Sequence, residues 1–198
     1  MTPDSEGLIK LFSYYRDAET RGCSLLMRMM QRVDDPEAQV LFSRHVDDET
    51  RHAWLWTKRI KDEGGLPVPV PDGYQRRLGL GLGIPRTIID LFALTVIVEQ
   101  RAEARYKEHL ASPLCDDKTR DVLNAVTKDE TWHIAWMEEW MLKMAREAGE
   151  EQKVKDTLAR YRTVEKEVFE EIKADEREWL GFSFSDVPAE QAPQPAAV

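Results

Sequence analysis

Three glutamates of this chain stand within helical stripes that are otherwise apolar. Glu19 lies between Tyr15 and Cys23, Glu99 between Val96 and Tyr106, and Glu130 between Val126 and Met137. A fourth, Glu49, opens the tetrapeptide Glu49-Thr50-Arg51-His52, whose pattern returns as Glu130-Thr131-Trp132-His133. A carboxylate carried into an apolar interior without a partner costs several kcal/mol. A fold that buries these stripes must therefore supply compensating positive charge at the same depth.

The stripes themselves predict helices. Apolar residues recur at spacings of three and four, no segment alternates with period two, and the chain reads as all-α. The first helix is expected from Ser5 to Val33, along Leu8, Phe12, Tyr15, Glu19, Cys23, Leu26, Met30 and Val33. Asp35 then caps a second helix that begins at Pro36 and runs to Glu63, where Gly64-Gly65 stops it. Residues 64–85, GGLPVPVPDGYQRRLGLGLGIP, are too rich in glycine and proline to form one helix, yet can span the length of a bundle. A third helix is expected over Thr87–Ala111, a fourth from the restart at Ser112-Pro113 to Ala148, and a fifth over Glu150–Trp179 along Val154, Leu158, Tyr161, Val168 and Ile172. Residues 1–180 thus form one domain, and 181–198, ending in SDVPAEQAPQPAAV, are expected to be a disordered tail. Two short connections and one long one predict two antiparallel hairpins joined by a crossover.

Counting from the turns levels the acids. Glu19 and Glu49 each lie about 15 residues from the turn near residue 34, roughly 22 Å along their helices. Glu99 and Glu130 are equally placed about the turn near residue 114. The halves also repeat: Glu99 follows Glu19 by 80 residues, while Glu130 and His133 follow Glu49 and His52 by 81. Four carboxylates therefore share one layer, with two imidazoles three residues on from two of them and on the same face. Two divalent cations would neutralise four glutamates. Carboxylate and imidazole ligands without thiolate suit iron first, and manganese or a mixed manganese–iron pair second.

Composition removes other classes. A net charge of −9 over 198 residues argues against binding nucleic acid. Cys23 and Cys115 form no CxxC pair, which argues against a disulfide framework or a zinc or rubredoxin module. The start, MTPDSEGLIK, has no signal-peptide pattern, and the most apolar stretch, 84–98, is short and interrupted by Pro85, Arg86 and Asp90. No transmembrane segment and a cytoplasmic location are expected.

Over about residues 5–148 the pattern E…ExxH…E…ExxH resembles the ferritin-like diiron-carboxylate superfamily, which includes bacterioferritins, rubrerythrins and small diiron oxygenases. The resemblance implies a ferritin-like antiparallel four-helix bundle with a long crossover and an additional C-terminal helix. It implies Glu19 and Glu99 as single terminal ligands, Glu49 and Glu130 as bridging ligands, and His52 and His133 as one imidazole for each of two iron ions. It also implies reaction of the reduced pair with dioxygen or peroxide. The extra carboxylate that rubrerythrins carry three residues after Glu99 is Ala102 here, and their cysteine-rich module is missing. TVIVEQRAEARYKEHL bears a looser likeness to demethoxyubiquinone hydroxylases. A fifth helix of this length is unlike the short one that ends ferritin-cage subunits.

The expected function is a diiron oxidoreductase acting on a small organic substrate, with Phe12, Leu26, Thr95, Val96 and Met137 as pocket walls and electrons from an external donor. Iron handling, as a ferroxidase or peroxide scavenger, is the alternative, and a metal-free helical interaction module the third. Glu103, one turn beyond Glu99, is an additional or replacement ligand candidate. His45 is read as a hydrogen-bonded neighbour of the ligands in preference to a ligand or proton relay. Asp48 and Asp129 are placed either to orient the imidazole of a neighbouring helix or on a solvated face. His109 reads as a surface or capping residue and Cys23 as small core filler. Tyr15, Tyr106, Trp54, Trp56, Trp132 and Trp136 are read as packing in preference to electron relays. The stripe of the fifth helix either covers the bundle or joins a homodimer.

Overall fold

The computed structural model describes residues 4–186, which are all-helical and contain no strand. The helices are α1 (Ser5–Met30), α2 (Pro36–Asp62), α3 (Tyr74–Leu82), α4 (Ile88–Ala111), α5 (Asp117–Ala148) and α6 (Glu151–Leu180), followed by a 3-10 turn at Phe184–Asp186. Each long helix begins where a short polar side chain can satisfy the free amides of its first turn, except α6. Asp4 accepts from Gly7 N, Asp35 from Glu37 N and Ala38 N, and Asp116 from Thr119 N. Thr87 and Asp90 exchange both bonds of a capping box. Gly149 and Gly181 close α5 and α6 in left-handed geometry, with φ of 67° and 82°.

The long helices pair as α1 with α2 and α4 with α5, and the pairs meet chiefly where α2 packs on α5. The order of core residues along each helix shows that partners run in opposite directions. One apolar cluster takes Leu11 and Tyr15 from α1, Trp56 and Ile60 from α2, Tyr106 from α4, and Leu123 and Val126 from α5. The other takes Leu26, Phe42, Val96 and Met137 from the same four helices. On every helix the acidic positions fall between these clusters, so the carboxylates form a polar layer with a dry core on either side.

The crossover is more structured than its composition suggests. Tyr74 and Leu78 of α3 are buried, and α3 packs on α6. Tyr74 OH donates to Glu165 at 3.4 Å and Arg77 to Asp175 at 2.6 Å. These tertiary contacts hold nine residues helical despite Gly79 and Gly81. α6 covers α4 with its own stripe: Val154, Tyr161, Val168 and Ile172 are all buried within the chain. Arg101 and Arg105 of α4 reach across to Glu165 and Glu176 of α6.

Residues 181–186, expected in the tail, are held against α6 and α4. Ser183 donates to Glu176 at 2.5 Å, Arg177 pairs with Asp186 at 2.8 Å, and Phe184 stacks on His109 at 3.9 Å between ring centroids. The rest of the expected tail, 187–198, lies outside the described residues. His109 is accordingly not a surface residue. It is buried under Phe184, and burial followed by the nearby Arg105 charge lowers its pKa to about 3. Among the described residues, no helix is long and apolar enough to cross a membrane.

Candidate metal centre

The four long helices bring Glu19, Glu49, His52, Glu99, Glu130 and His133 into one buried cluster, none more than 4% exposed. Two groups of candidate ligand atoms form, each with its atoms within 4.8 Å of one another: Glu19, Glu49, His52 and Glu130, and His45, Glu49, Glu99 and His133. Glu49 belongs to both. Its Oε1 lies 4.0 Å from His52 Nδ1 and 3.7 Å from His133 Nδ1. Glu130 spans the same two imidazoles, with Oε1 3.9 Å from His52 Nδ1 and Oε2 3.6 Å from His133 Nδ1. Glu19 and Glu99 stand at opposite ends of this arrangement.

The imidazoles are aimed by carboxylates from the opposite hairpin. His52 Nε2 is 3.2 Å from Asp129 Oδ2, and His133 Nε2 is 3.4 Å from Asp48 Oδ2. Arg51 ties the two aspartates together, donating to Asp48 at 2.5 Å and to Asp129 at 2.7 Å. An aspartate on Nε2 favours the hydrogen there, which in the neutral ring leaves the Nδ1 lone pair facing the cluster. Both aspartates thus orient imidazoles rather than face solvent alone.

His45 is fully buried, with Nε2 3.4 Å from Glu99 Oε1 and 3.6 Å from Glu49 Oε1. Trp136 Nε1–H donates to its Nδ1 at 3.2 Å. An indole N–H on Nδ1 requires a lone pair there, so the hydrogen of the neutral ring resides on Nε2. In the neutral ring His45 turns an N–H rather than a lone pair toward Glu49 and Glu99, close to both but without hydrogen-bond geometry to either.

Glu103 does not join the cluster. One turn beyond Glu99, it accepts from Thr131 Oγ1 at 3.0 Å and pairs with Lys107 at 2.8 Å. Three residues contribute that the sequence reading gave no such role. Tyr106, read as core packing, donates its hydroxyl to Glu19 Oε1. Trp136 fixes His45, and Gly22 lies so close to Glu49 that a Cβ there would come within 2.4 Å of Oε2. Gly22 carries a readable signal, being three residues beyond Glu19 on the same helix face.

The electrostatics identify what the cluster lacks. Burial, followed by the charges of Glu99 and Glu19, raises Glu49 to about 8, and the same causes raise Glu130 well above the ordinary carboxyl value. Glu99 is lowered to about 2, its interaction with the nearby His45 outweighing burial. Burial and the neighbouring His45 lower His133 to about 4. His52 is raised to about 9, its interactions with Glu19 and Glu49 outweighing burial. Within the cluster, protons alone thus offset carboxylate charge. Five buried atoms that face the cluster have no hydrogen-bond partner: Glu49 Oε1, Glu130 Oε2, His45 Nε2, His52 Nδ1 and His133 Nδ1. Unpartnered buried polar atoms are uncommon, and here they converge. The donor set fits a pair of divalent cations that prefer oxygen and imidazole.

A narrow pocket of about 40 Å³ reaches Glu19, Glu49 and Glu99 between α1 and α4, beside Ala18, Gly22, Val98 and Tyr106. It corrects the expected walls. Phe12, Leu26, Val96 and Met137 are spent in the two cores, and Thr95 alone of the five lines an opening on this side. The aromatic residues also divide. Tyr15, Trp56 and Tyr106 pack together at centroid distances of 4.9–5.8 Å, Trp132 stacks under Arg44, and Trp54 is 56% exposed. Cys23 is half-buried beside Thr50, with its Sγ 3.6 Å from Oγ1.

Comparison of the chain with protein-family models, with curated proteins and with solved structures finds no match. The site's chemistry therefore rests on its own geometry.

Proposed function

We propose that this chain is a ferritin-like diiron-carboxylate protein, an oxidoreductase that uses dioxygen or peroxide to oxidise a small organic substrate. The observation that carries the reading is the convergence of unpartnered, buried carboxylate and imidazole atoms in one layer between two apolar cores. Glu19, Glu49, Glu99, Glu130, His52 and His133 would hold the ions, with manganese in one or both positions as the second choice of metal. An iron pair held there would supply the electrons for reduction of dioxygen or peroxide.

The protein's own contribution is positioning. Asp129 and Asp48 hold the imidazole lone pairs inward, and Arg51 holds the two aspartates in register. His45 steadies Glu49 and Glu99 from one side, and Tyr106 steadies Glu19 from the other. The apolar clusters on either side limit water to the α1–α4 approach. An external donor fits a chain whose two cysteines are free and far apart in sequence. The approach has apolar walls at Ala18 and Val98, which favours an organic substrate over iron itself, the ferroxidase alternative.

The test is reconstitution with ferrous iron under anaerobic conditions, metal analysis, and crystallographic anomalous scattering at the iron and manganese edges. Two ions per chain between the named ligands are expected. Less than one transition-metal ion per chain, or stability indifferent to chelators, overturns the reading.

A further inference from the structure

A second opening lies outside the narrow pocket. It has a volume of about 270 Å³ and shares Gly22, Gln75, Val98 and Glu99 with the inner pocket, so the two form one route from the surface to the carboxylates. Its walls include Leu25 on α1 and Leu94 and Val98 on α4. Its rim carries Arg21, Arg28 and Arg76, and Glu99 at the inner end is the acid among its lining residues. On a chain of net charge −9, three arginines at one rim are a departure from the average.

The three arginines are not equivalent. Arg21 is held by Asp17 at 2.5 Å and by the Val70 carbonyl at 3.2 Å, and Arg76 is held by Asp72 at 2.6 Å. Arg28 is exposed and has no acidic partner among the described residues. The groove thus presents one uncompensated guanidinium outside, an apolar passage, and three glutamates inside. A ligand with an anionic head is attracted to the uncompensated Arg28 at the outer end. With the head there, the apolar walls of the passage lead the rest of the ligand inward toward Glu99, along Gly22.

We infer that the groove binds a small monocarboxylic acid head-outward, its carboxylate on Arg28 and its apolar chain directed past Leu25, Leu94 and Val98 to the metal cluster. A guanidinium fork matches a carboxylate in two parallel hydrogen bonds. One unpaired arginine matches one negative charge. The volume lies below the roughly 300–1,000 Å³ of pockets for drug-sized ligands, which keeps the ligand small. This inference rests on the oxidase reading for the role of the ligand as substrate, but not for its binding.

The experiment is calorimetric titration of the full-length, metal-free protein with hexanoate, hexan-1-ol and hexylamine, with metal uptake measured separately on the same preparations. Hexanoate is expected to bind and the other two to bind at least roughly tenfold more weakly. Arg28→Gln should weaken hexanoate roughly tenfold or more, the worth of a charge-assisted hydrogen bond, and leave hexanol unchanged. Leu94→Trp, which fills the passage without touching the charge, should abolish hexanoate binding. Equal affinity for hexanol, or hexanoate binding indifferent to either substitution, overturns the assignment. Two metals per chain with no hexanoate binding overturns the groove alone. Selective hexanoate binding by protein that takes up no metal overturns the oxidase reading and retains the groove.

Discussion

Gly22→Ala should change the metal-free and metal-loaded proteins in opposite directions. Gly22 sits inside α1, where glycine is about 1 kcal/mol less favourable than alanine. Among the described residues the obstacle to a methyl group is the Glu49 carboxylate, whose Oε2 is 2.4 Å from the position a Cβ would take. In the metal-free protein that oxygen is the end of a side chain that can rotate away. The propensity gain then survives, and with about 2–4 °C per kcal/mol for a chain of this size the melting temperature should rise by up to about 4 °C. On the proposed reading, Glu49 would be shared between the two bound ions and could not withdraw. Displacing an oriented ligand should lower metal affinity roughly ten- to a hundredfold. Each tenfold loss removes about 1.4 kcal/mol of the stabilisation that saturating metal confers, or about 3–6 °C. The assay is thermal unfolding with and without ferrous iron, in parallel with a metal-binding titration. A variant whose metal-dependent increase in melting temperature equals that of the parent would refute the placement of Glu49 between the ions.

Three further outcomes follow from the same geometry. Asp129→Asn removes the carboxylate facing His52 Nε2 and should weaken metal binding roughly ten- to a hundredfold without unfolding the protein, as measured by competition with a chromophoric chelator. The metal-free protein should lose stability as pH rises from about 4.5 to about 8, because folded Glu49 keeps a proton that the unfolded chain has released. The slope should be about 1.4 kcal/mol per pH unit at most for this group, read by denaturant unfolding, and should vanish in the metal-loaded form. Phe184→Ala should cost about 3 kcal/mol by opening a cavity over His109. It should also raise the His109 pKa from about 3 toward its ordinary value, seen by NMR titration. Since His109 is held neutral in the parent, its contribution is present above about pH 6.5 and is lost as pH falls toward 3; in the variant that acid loss should shrink.

Much of the centre is legible in the sequence because helices convert spacing into height and face. The residue counts from the two turns are enough to bring Glu19, Glu49, Glu99 and Glu130 to one level, and the three-residue offsets carry His52 and His133 with them. Glu103 illustrates where counting fails. A residue four positions on shares a helix face only approximately, and Lys107 and Thr131 on neighbouring surface positions take its carboxylate away from the layer. His109 and Phe184 fail for another reason. Their burial depends on a segment beyond α6 folding back, and nothing local to either residue signals it.

The sequence by itself determined the five long helices, their order and the level of the acids, since periodicity, caps and turn residues act within a few positions along the chain. Only the tertiary structure decided which atoms face one another: Asp129 on His52, Asp48 on His133, Trp136 on His45, Tyr106 on Glu19 and the bare backbone of Gly22 on Glu49. It also decided that the approach runs between α1 and α4 and that α3 and α6 close over the hairpins. Such pairings depend on the rotation and separation of helices far apart in the chain. Those quantities are set by side chains packing across interfaces, and no local pattern encodes them.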